Sequence, residues 1–207
     1  MEILKRAGAS ILGDAQERLG GVVGLKRYDS GHECVVGRAL TVHTRAGDNL
    51  AIHVALSRLQ PGDIIVVDGA GSLERALVGD LARAYAIHRG AVGFVIEGAI
   101  RDVAAFRGPE TFACFARGAS HRGPFKDGPG RIGVPVSIGG QVISTGDIVV
   151  ADEDGIVTIE PARINEVLKG AEERLAMEEA IRAEIRSGAP QQAWLEASLA
   201  KAQGRIL

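Results

Sequence analysis

The sequence predicts an α/β domain with a helical extension at its C-terminus. Two continuous apolar runs, Ile64–Val67 and Val92–Ile96, lie between Gly and Asp punctuation and have the length of buried strands. Segments with helical signals alternate with them. At Pro161 the pattern changes to a long charged helix, which divides a core at residues 1–160 from an extension at 161–207.

Residues 1–21 read as a short helix ending at Gly20-Gly21. Val35–Val42 is rich in β-branched residues and reads as a strand. Asn49–Leu59 (NLAIHVALSRL) is a helix stopped by Pro61. Ile64–Val67 is the first buried strand, and Ala76–Val78 a short one. Asp80 suits the N-cap of a helix over Leu81–Arg89, closed by Gly90. Val92–Ile96 follows, then a small-residue turn at Gly98-Ala99. Ile132–Ile138, Ile148–Ala151 and Ile156–Ile159 complete a strand-rich second half, the last two as a hairpin around Asp152-Glu153-Asp154-Gly155. PGDIIVVDG (61–69) echoes TGDIVVADEDG (145–155), which we read as one turn–strand–turn solution used twice rather than a duplication.

Ala162–Ser187 is the charged helix, with Pro161 in its first turn and Gly188 and Pro190 beyond its end. Its apolar residues Ile164, Val167, Leu168, Leu175, Ile181 and Ile185 form one stripe, too sparse for a core helix. Such a stripe suits packing across the body or on a neighbouring subunit. Gln191–Leu207 is a shorter amphipathic piece holding the only tryptophan, Trp194.

The chain has 207 residues, 46% of them hydrophobic but only 4% aromatic, so Val, Ile, Leu and Ala must fill the core. A net charge of −2 supplies no basic field for nucleic acid. Cys34 and Cys114 form no spaced framework and read as reduced, buried small hydrophobes. No apolar run follows the charged Met1–Arg6 segment, and none is long enough to span a bilayer. The expectation is a cytoplasmic protein with neither membrane nor nucleic-acid partner.

Two short motifs carry the chemistry. Gly79 and Asp80 open a helix, where unpartnered N–H groups and the dipole can seat a carboxylate or phosphate. Twenty residues after Asp80 come Arg101 and Asp102, just beyond a strand end, where α/β proteins place ligands. Arginine presents a fork matched to a carboxylate, and aspartate is a hard oxygen ligand for Mg2+ or Mn2+. Each motif alone also reads blandly, as an N-cap with a tight turn and as a surface ion pair.

Together the motifs resemble the family of 4-hydroxy-4-methyl-2-oxoglutarate aldolases and regulator of ribonuclease activity A proteins. Its signature is Asp, twenty residues, Arg-Asp, two residues, then Glu or Asp. Here it runs Asp80, Arg101-Asp102, Val103-Ala104, then Ala105, so the terminal acid is absent. VVDGAGSLERALVGD, GAVGFVIEGAIRD and GDIVVADEDGIVTI also look like family sequence, and the likeness spans roughly 15–188. It implies a swivelling β/β/α fold, assembly as a homotrimer or hexamer, and a lyase acting on small 2-oxo acids. Asp102 would bind the metal, with Asp80 holding its waters. Backbone N–H groups of Gly79, Asp80, Leu81 and Ala82 would seat the substrate carboxylate, and Arg101 would face the keto oxygen. The aldolase branch also recruits a Glu from a neighbouring subunit's C-terminal helix; Glu178 is the match here, with Glu179 as fallback. The implied chemistry passes through a pyruvate enolate, by retro-aldol cleavage or oxaloacetate decarboxylation. The other branch implies a protein-binding regulator of a ribonuclease; it is shorter and lacks the C-terminal helix.

Other signals carry less. DGAGSLER (68–75) lacks the third glycine of a nucleotide loop. The five histidines show no metal spacing on one helix face, and no Ser or Cys occupies a nucleophile elbow. The loop ASHRGPFKDGPGR, with Arg117 before it, reads as a solvated connection or a small rim for an anion.

Overall fold

A computed structural model of the chain describes residues 1–188 and 192–202. The chain opens with helix α1 (Glu2–Ala15), strands β1 (Gly21–Val22), β2 (Lys26–Arg27) and β3 (Val35–Thr44), and helix α2 (Leu50–Arg58). Then come β4 (Asp63–Asp68), β5 (Ala76–Val78), α3 (Asp80–His88) and β6 (Gly93–Ile100). A 3-10 turn at Val103–Arg107 leads to β7 (Ala113–Ala119), β8 (Gly130–Ile132), β9 (Val136–Ile138), β10 (Gln141–Ile143), β11 (Ile148–Ala151) and β12 (Ile156–Ile159). Helices α4 (Ile164–Arg186) and α5 (Ala193–Ala202) end the described chain.

The fold is mixed α/β. Parallel β3, β4, β6 and β7 form the centre of a curled sheet ordered β1-β12-β11-β3-β4-β6-β7-β2, whose flanking strands run antiparallel. Burial on both faces explains why β4 and β6 read as apolar runs. One face packs under α2 and α3, with Ile65, Val67, Phe94 and Ile96 at its centre. The other, with Ile64, Val66 and Val95, meets the β9–β10 hairpin through Val136, Ile138 and Ile143. A third cluster joins α1, α4 and the β11–β12 end through Leu12, Val150, Ile159, Val167 and Ala171. No described helix is long and apolar enough to cross a membrane.

The two echoing segments make the same turn. Gln60 N donates to Asp63 Oδ2 at 2.8 Å, and Ser144 N donates to Asp147 Oδ2 at 2.8 Å. The strands they open flank β3 on opposite sides, one parallel and one antiparallel.

Several elements depart from the sequence reading. The first helix stops at Ala15, not at Gly20-Gly21: Glu17 and Arg18 take left-handed backbone, and Gly21 pairs with β12. It is also broken at Gly8 (φ 65°), where Ala9 N donates to Asp152 Oδ2 at 2.7 Å. The N-cap of α3 is Gly79, and Asp80 is the first helical residue. Gly98 and Ala99 lie inside β6, where the bare face of Gly98 receives Leu77. Residues 132–138 make two strands because Gly133 (φ 80°) and Pro135 interrupt them. Strand β7 was not foreseen at all. In α4, Ile164, Val167, Leu168, Ala171 and Leu175 pack with α1 of the same chain, while Met177, Ile181 and Ile185 remain exposed. Of the expected tail piece, residue 191 and residues 203–207 lie outside the described residues.

Candidate active site

Strand register assembles the site. β5 pairs with β6 so that Val78 lies opposite Ile100, and Arg101 N donates to Val78 O at 3.0 Å. The residues that follow the two strands, Gly79-Asp80 and Arg101-Asp102, are thereby neighbours despite the twenty residues between them. Asp80 N donates to Asp102 Oδ2 at 3.2 Å, and Arg101 Nε lies 3.4 Å from the same oxygen. Asp102 turns left-handed (φ 53°), a conformation Asp tolerates better than most residues, and this aims its carboxylate back at the start of α3. Gly79 leaves the room: a Cβ there would lie 2.4 Å from Asp102 Oδ2 and 2.9 Å from Arg101 Cγ.

The expected backbone seat is partly occupied from within. Asp80 N is engaged by Asp102, and Leu81 N donates to Asp80 Oδ1 at 2.7 Å. Ala82 N has no acceptor among the described residues and faces the dipole's positive end.

Arg101 stands between two cavities. One, of about 280 Å³, is lined by Asn49, His53, Gly79, Ala82, Lys126 and Arg101 itself. The other, of about 500 Å³, is lined by Arg101, Asp102, Val103, Ala119, Ser120 and His121. Asn49 Nδ2 donates to Leu77 O at 3.0 Å, while its buried Oδ1 has no hydrogen-bond partner among the described residues. Burial, helped by Lys126, pushes the His53 imidazole below its usual range, so it is neutral at physiological pH.

The loop bearing Gly123 and Lys126 is fastened by Asp48. This buried carboxylate accepts from Leu50 N (3.0 Å), Asp127 N (2.8 Å) and Gly128 N (2.9 Å), and from Arg45 Nη2 (3.1 Å). Burial alone would raise its pKa, but the three N–H donors and Arg45 outweigh that and hold it below the usual carboxylate range.

Among the described residues, no three His, Cys, Asp or Glu side chains converge as a ready metal cage. The donor set fits a hard cation that keeps most of its water. Asp102 is about 41% exposed and lines the larger cavity, and its Oδ1 makes no hydrogen bond among the described residues. One carboxylate with room for waters is the Mg2+ pattern, and Mn2+ accepts the same oxygen ligands.

The structure brings Gly79, Asp80, Leu81, Ala82, Arg101 and Asp102 together. It does not bring Glu178 to them within one chain: Glu178 pairs with Arg182 at 2.9 Å along α4 and lines neither cavity. Glu179 pairs with Arg186 at 2.6 Å, which holds its carboxyl below the usual range. Ala105 lies in the turn after Asp102, its N–H donating to Asp102 O at 2.8 Å. Sequence reasoning missed Asn49, His53 and Ser120 as lining residues. His121 and Lys126 were flagged only as part of a polar loop, and the Arg117 of that group is engaged by Glu97 on β6.

The site thus sets a strand-end carboxylate beside an arginine, facing a glycine-opened helix on a mixed α/β scaffold. The chain belongs to the RraA-like family, described as aldolase/RraA, whose model matches residues 9–158. A Halalkalibacterium halodurans protein provisionally named 4-hydroxy-4-methyl-2-oxoglutarate aldolase is 42% identical over 146 residues, 70% of this chain and 69% of that protein. Among solved structures, Streptomyces coelicolor RraAS2, described as an unusual member of the RNase ES inhibitor RraA family, aligns with a TM-score of 0.77 and 27% identity. The alignment covers 87% of this chain and 97% of that one. The RNA-processing inhibitor RraA from Thermus thermophilus aligns at 0.64 and 29% identity, covering 72% and 89%.

Proposed function

We infer that this chain is a divalent-metal-dependent lyase that cleaves small 2-oxo dicarboxylic acids. The reaction is retro-aldol cleavage of substrates of the 4-hydroxy-4-methyl-2-oxoglutarate type, with oxaloacetate decarboxylation at the same site. The observation that carries the reading is the convergence of Asp80, Arg101 and Asp102 through the β5–β6 register. The name of the H. halodurans relative supports it.

Asp102, with Asp80 beside it, would hold Mg2+ or Mn2+, which when bound supplies Lewis-acid stabilisation of charge on the substrate's keto oxygen. The chain's own groups do the rest. Ala82 N–H and the α3 dipole hold the substrate carboxylate. Arg101 places its guanidinium at the keto oxygen, where negative charge grows as the bond to C3 breaks. As the C3–C4 bond breaks, its electron pair stays at C3 and delocalises onto that oxygen, giving pyruvate in its enolate form. C4 leaves as CO2 from oxaloacetate or, once its hydroxyl has given its proton to a water held at Asp80, as the carbonyl of a second 2-oxo acid. That water returns a proton to C3 and completes turnover. Glu178 from a neighbouring subunit, in a homotrimer or hexamer, would assist that step. The place of action is the cytoplasm.

The test is pyruvate release from oxaloacetate with Mg2+ or Mn2+, with and without chelator. Release should be metal-dependent and abolished in Asp102→Ala. Release no faster than the uncatalysed background would overturn the reading. Likeness to the RraA structures favours a second reading, a protein-binding regulator of a ribonuclease. That reading requires Asp102→Ala to bind the nuclease as tightly as the parent chain.

A further inference from the structure

We propose that Glu110 is a positioning residue: by engaging Arg83 it ties the first turn of α3 to the chain that leaves Asp102, taking the place of the acid absent at 105. The proposal rests on the lyase reading above. The two carboxylates of the site sit on separate pieces of chain. Asp80 opens α3, and Asp102 opens the turn at Val103–Arg107. At the site itself Asp80 N donates to Asp102 Oδ2 across these pieces, beside the backbone bond from Arg101 N to Val78 O.

A second tie lies one helical turn away. Arg83 N donates to Gly79 O at 3.0 Å, so Arg83 belongs to the first turn of α3. Its side chain is buried, lies over the Phe112 ring at 5.7 Å, and donates from Nη2 to Glu110 Oε2 at 2.8 Å. Glu110 sits just beyond the far end of the turn that begins after Asp102. The tie therefore spans the same two pieces of chain as the bond at the site.

Ala105 adjoins this contact. Glu110 Oε2, Arg83 Nη2 and Ala105 O lie 2.6, 3.3 and 3.6 Å from the single point where a Cβ on Gly108 would stand. Arg83 Nε, buried nearby, has no hydrogen-bond partner among the described residues. The backbone of Ala105 thus runs beside the Arg83–Glu110 pair, within reach of an acid built at 105. Glu110 makes the tie to Nη2 instead and leaves Nε unmatched. Loss of Glu110 leaves the buried Arg83 guanidinium without its carboxylate and unties the first turn of α3 from the chain that follows Asp102.

The experiment is a double-mutant cycle of Glu110→Ala and Ala105→Glu, read by kcat and KM for oxaloacetate with Mn2+ and by melting temperature. Glu110→Ala should lower kcat about 10-fold, as loss of an outer partner does at metal sites, with KM little changed. Ala105→Glu in that background should restore most of kcat, and the two effects on melting should be non-additive. The proposal is overturned if Glu110→Ala lowers melting but leaves kcat intact, or if Ala105→Glu restores nothing. If the parent chain releases no pyruvate, the lyase reading falls and melting alone decides: additive effects overturn the tie, and non-additive effects uphold it.

Discussion

Gly79→Ala isolates the steric basis of the site. Gly79 has extended backbone (φ −152°), which any residue adopts, so alanine adds no backbone strain there. What it adds is one methyl group, 2.4 Å from Asp102 Oδ2, 2.9 Å from Arg101 Cγ and 3.1 Å from Arg101 Nε. Ordinary contact requires about 3.5 Å, so the Asp102 carboxylate must retreat by about 1 Å. The Asp80 N–H bond, now 3.2 Å, then breaks. A displaced, half-exposed hydrogen bond of this kind costs about 1–2 kcal/mol of stability. Displacement by about 1 Å at a reacting centre costs about 100-fold in rate. Gly79→Ala should therefore stay folded, melt a few degrees lower, and lose about 100-fold in kcat/KM for pyruvate release. Wild-type turnover in Gly79→Ala would refute the reasoning, because the two carboxylates could then separate without consequence.

Asp48→Asn should destabilise the protein by about 3 kcal/mol, because three backbone N–H donors would face an amide in place of a carboxylate; denaturant titration measures it. Since the folded Asp48 carboxyl lies below its unfolded value, its stabilisation is complete above about pH 4 and is lost as pH falls through the folded value. Hydrogen exchange at residues 125–130 should accordingly rise first on acidification. Burial pushes the Cys34 thiol up to about 11 and Cys114 well above its usual value, so iodoacetamide at pH 8 should modify neither at a useful rate until the chain unfolds. Glu178→Gln should lower kcat at least tenfold without changing melting, since its Arg182 pair is exposed, while Glu179→Gln leaves kcat unchanged; equal loss in both would refute the assignment.

The candidate site was legible because its parts are local. Each half is a strand end plus the next two residues, each bland alone, and likeness to a family signature singled the pair out. What joins the halves was hidden. The pairing of Val78 with Ile100 is a register, and Gly98-Ala99, small residues inside β6, looked like a turn because their missing bulk serves Leu77 rather than the backbone. Strand β7 escaped notice because CFARGA mixes polar and small residues, yet it lies buried beside β6. Asp48 escaped as well. Its role is to fasten a loop some eighty residues away, and nothing near it in the chain signals that. Glu178 was singled out by the family likeness alone, and within the chain it pairs with Arg182 along α4.

On the proposed lyase reading, Asp102 would be the single firm anchor of the cation. Its left-handed backbone is strained for a side chain with a Cβ, at a cost of about 1 kcal/mol. Glycine would relieve that strain, but glycine has no oxygen to offer Asp80 N and Arg101. One oxygen of Asp102 is committed to those two donors, which fixes the carboxylate plane. The other makes no hydrogen bond among the described residues. On the proposed lyase reading this division would suit a cation with one firm anchor and several exchangeable waters, some of which a 2-oxo acid would displace on binding. A second protein carboxylate on that cation would then close positions the substrate needs. Asp80 turns one oxygen to its own helix, through Leu81 N, and its other oxygen would be the one to hold water.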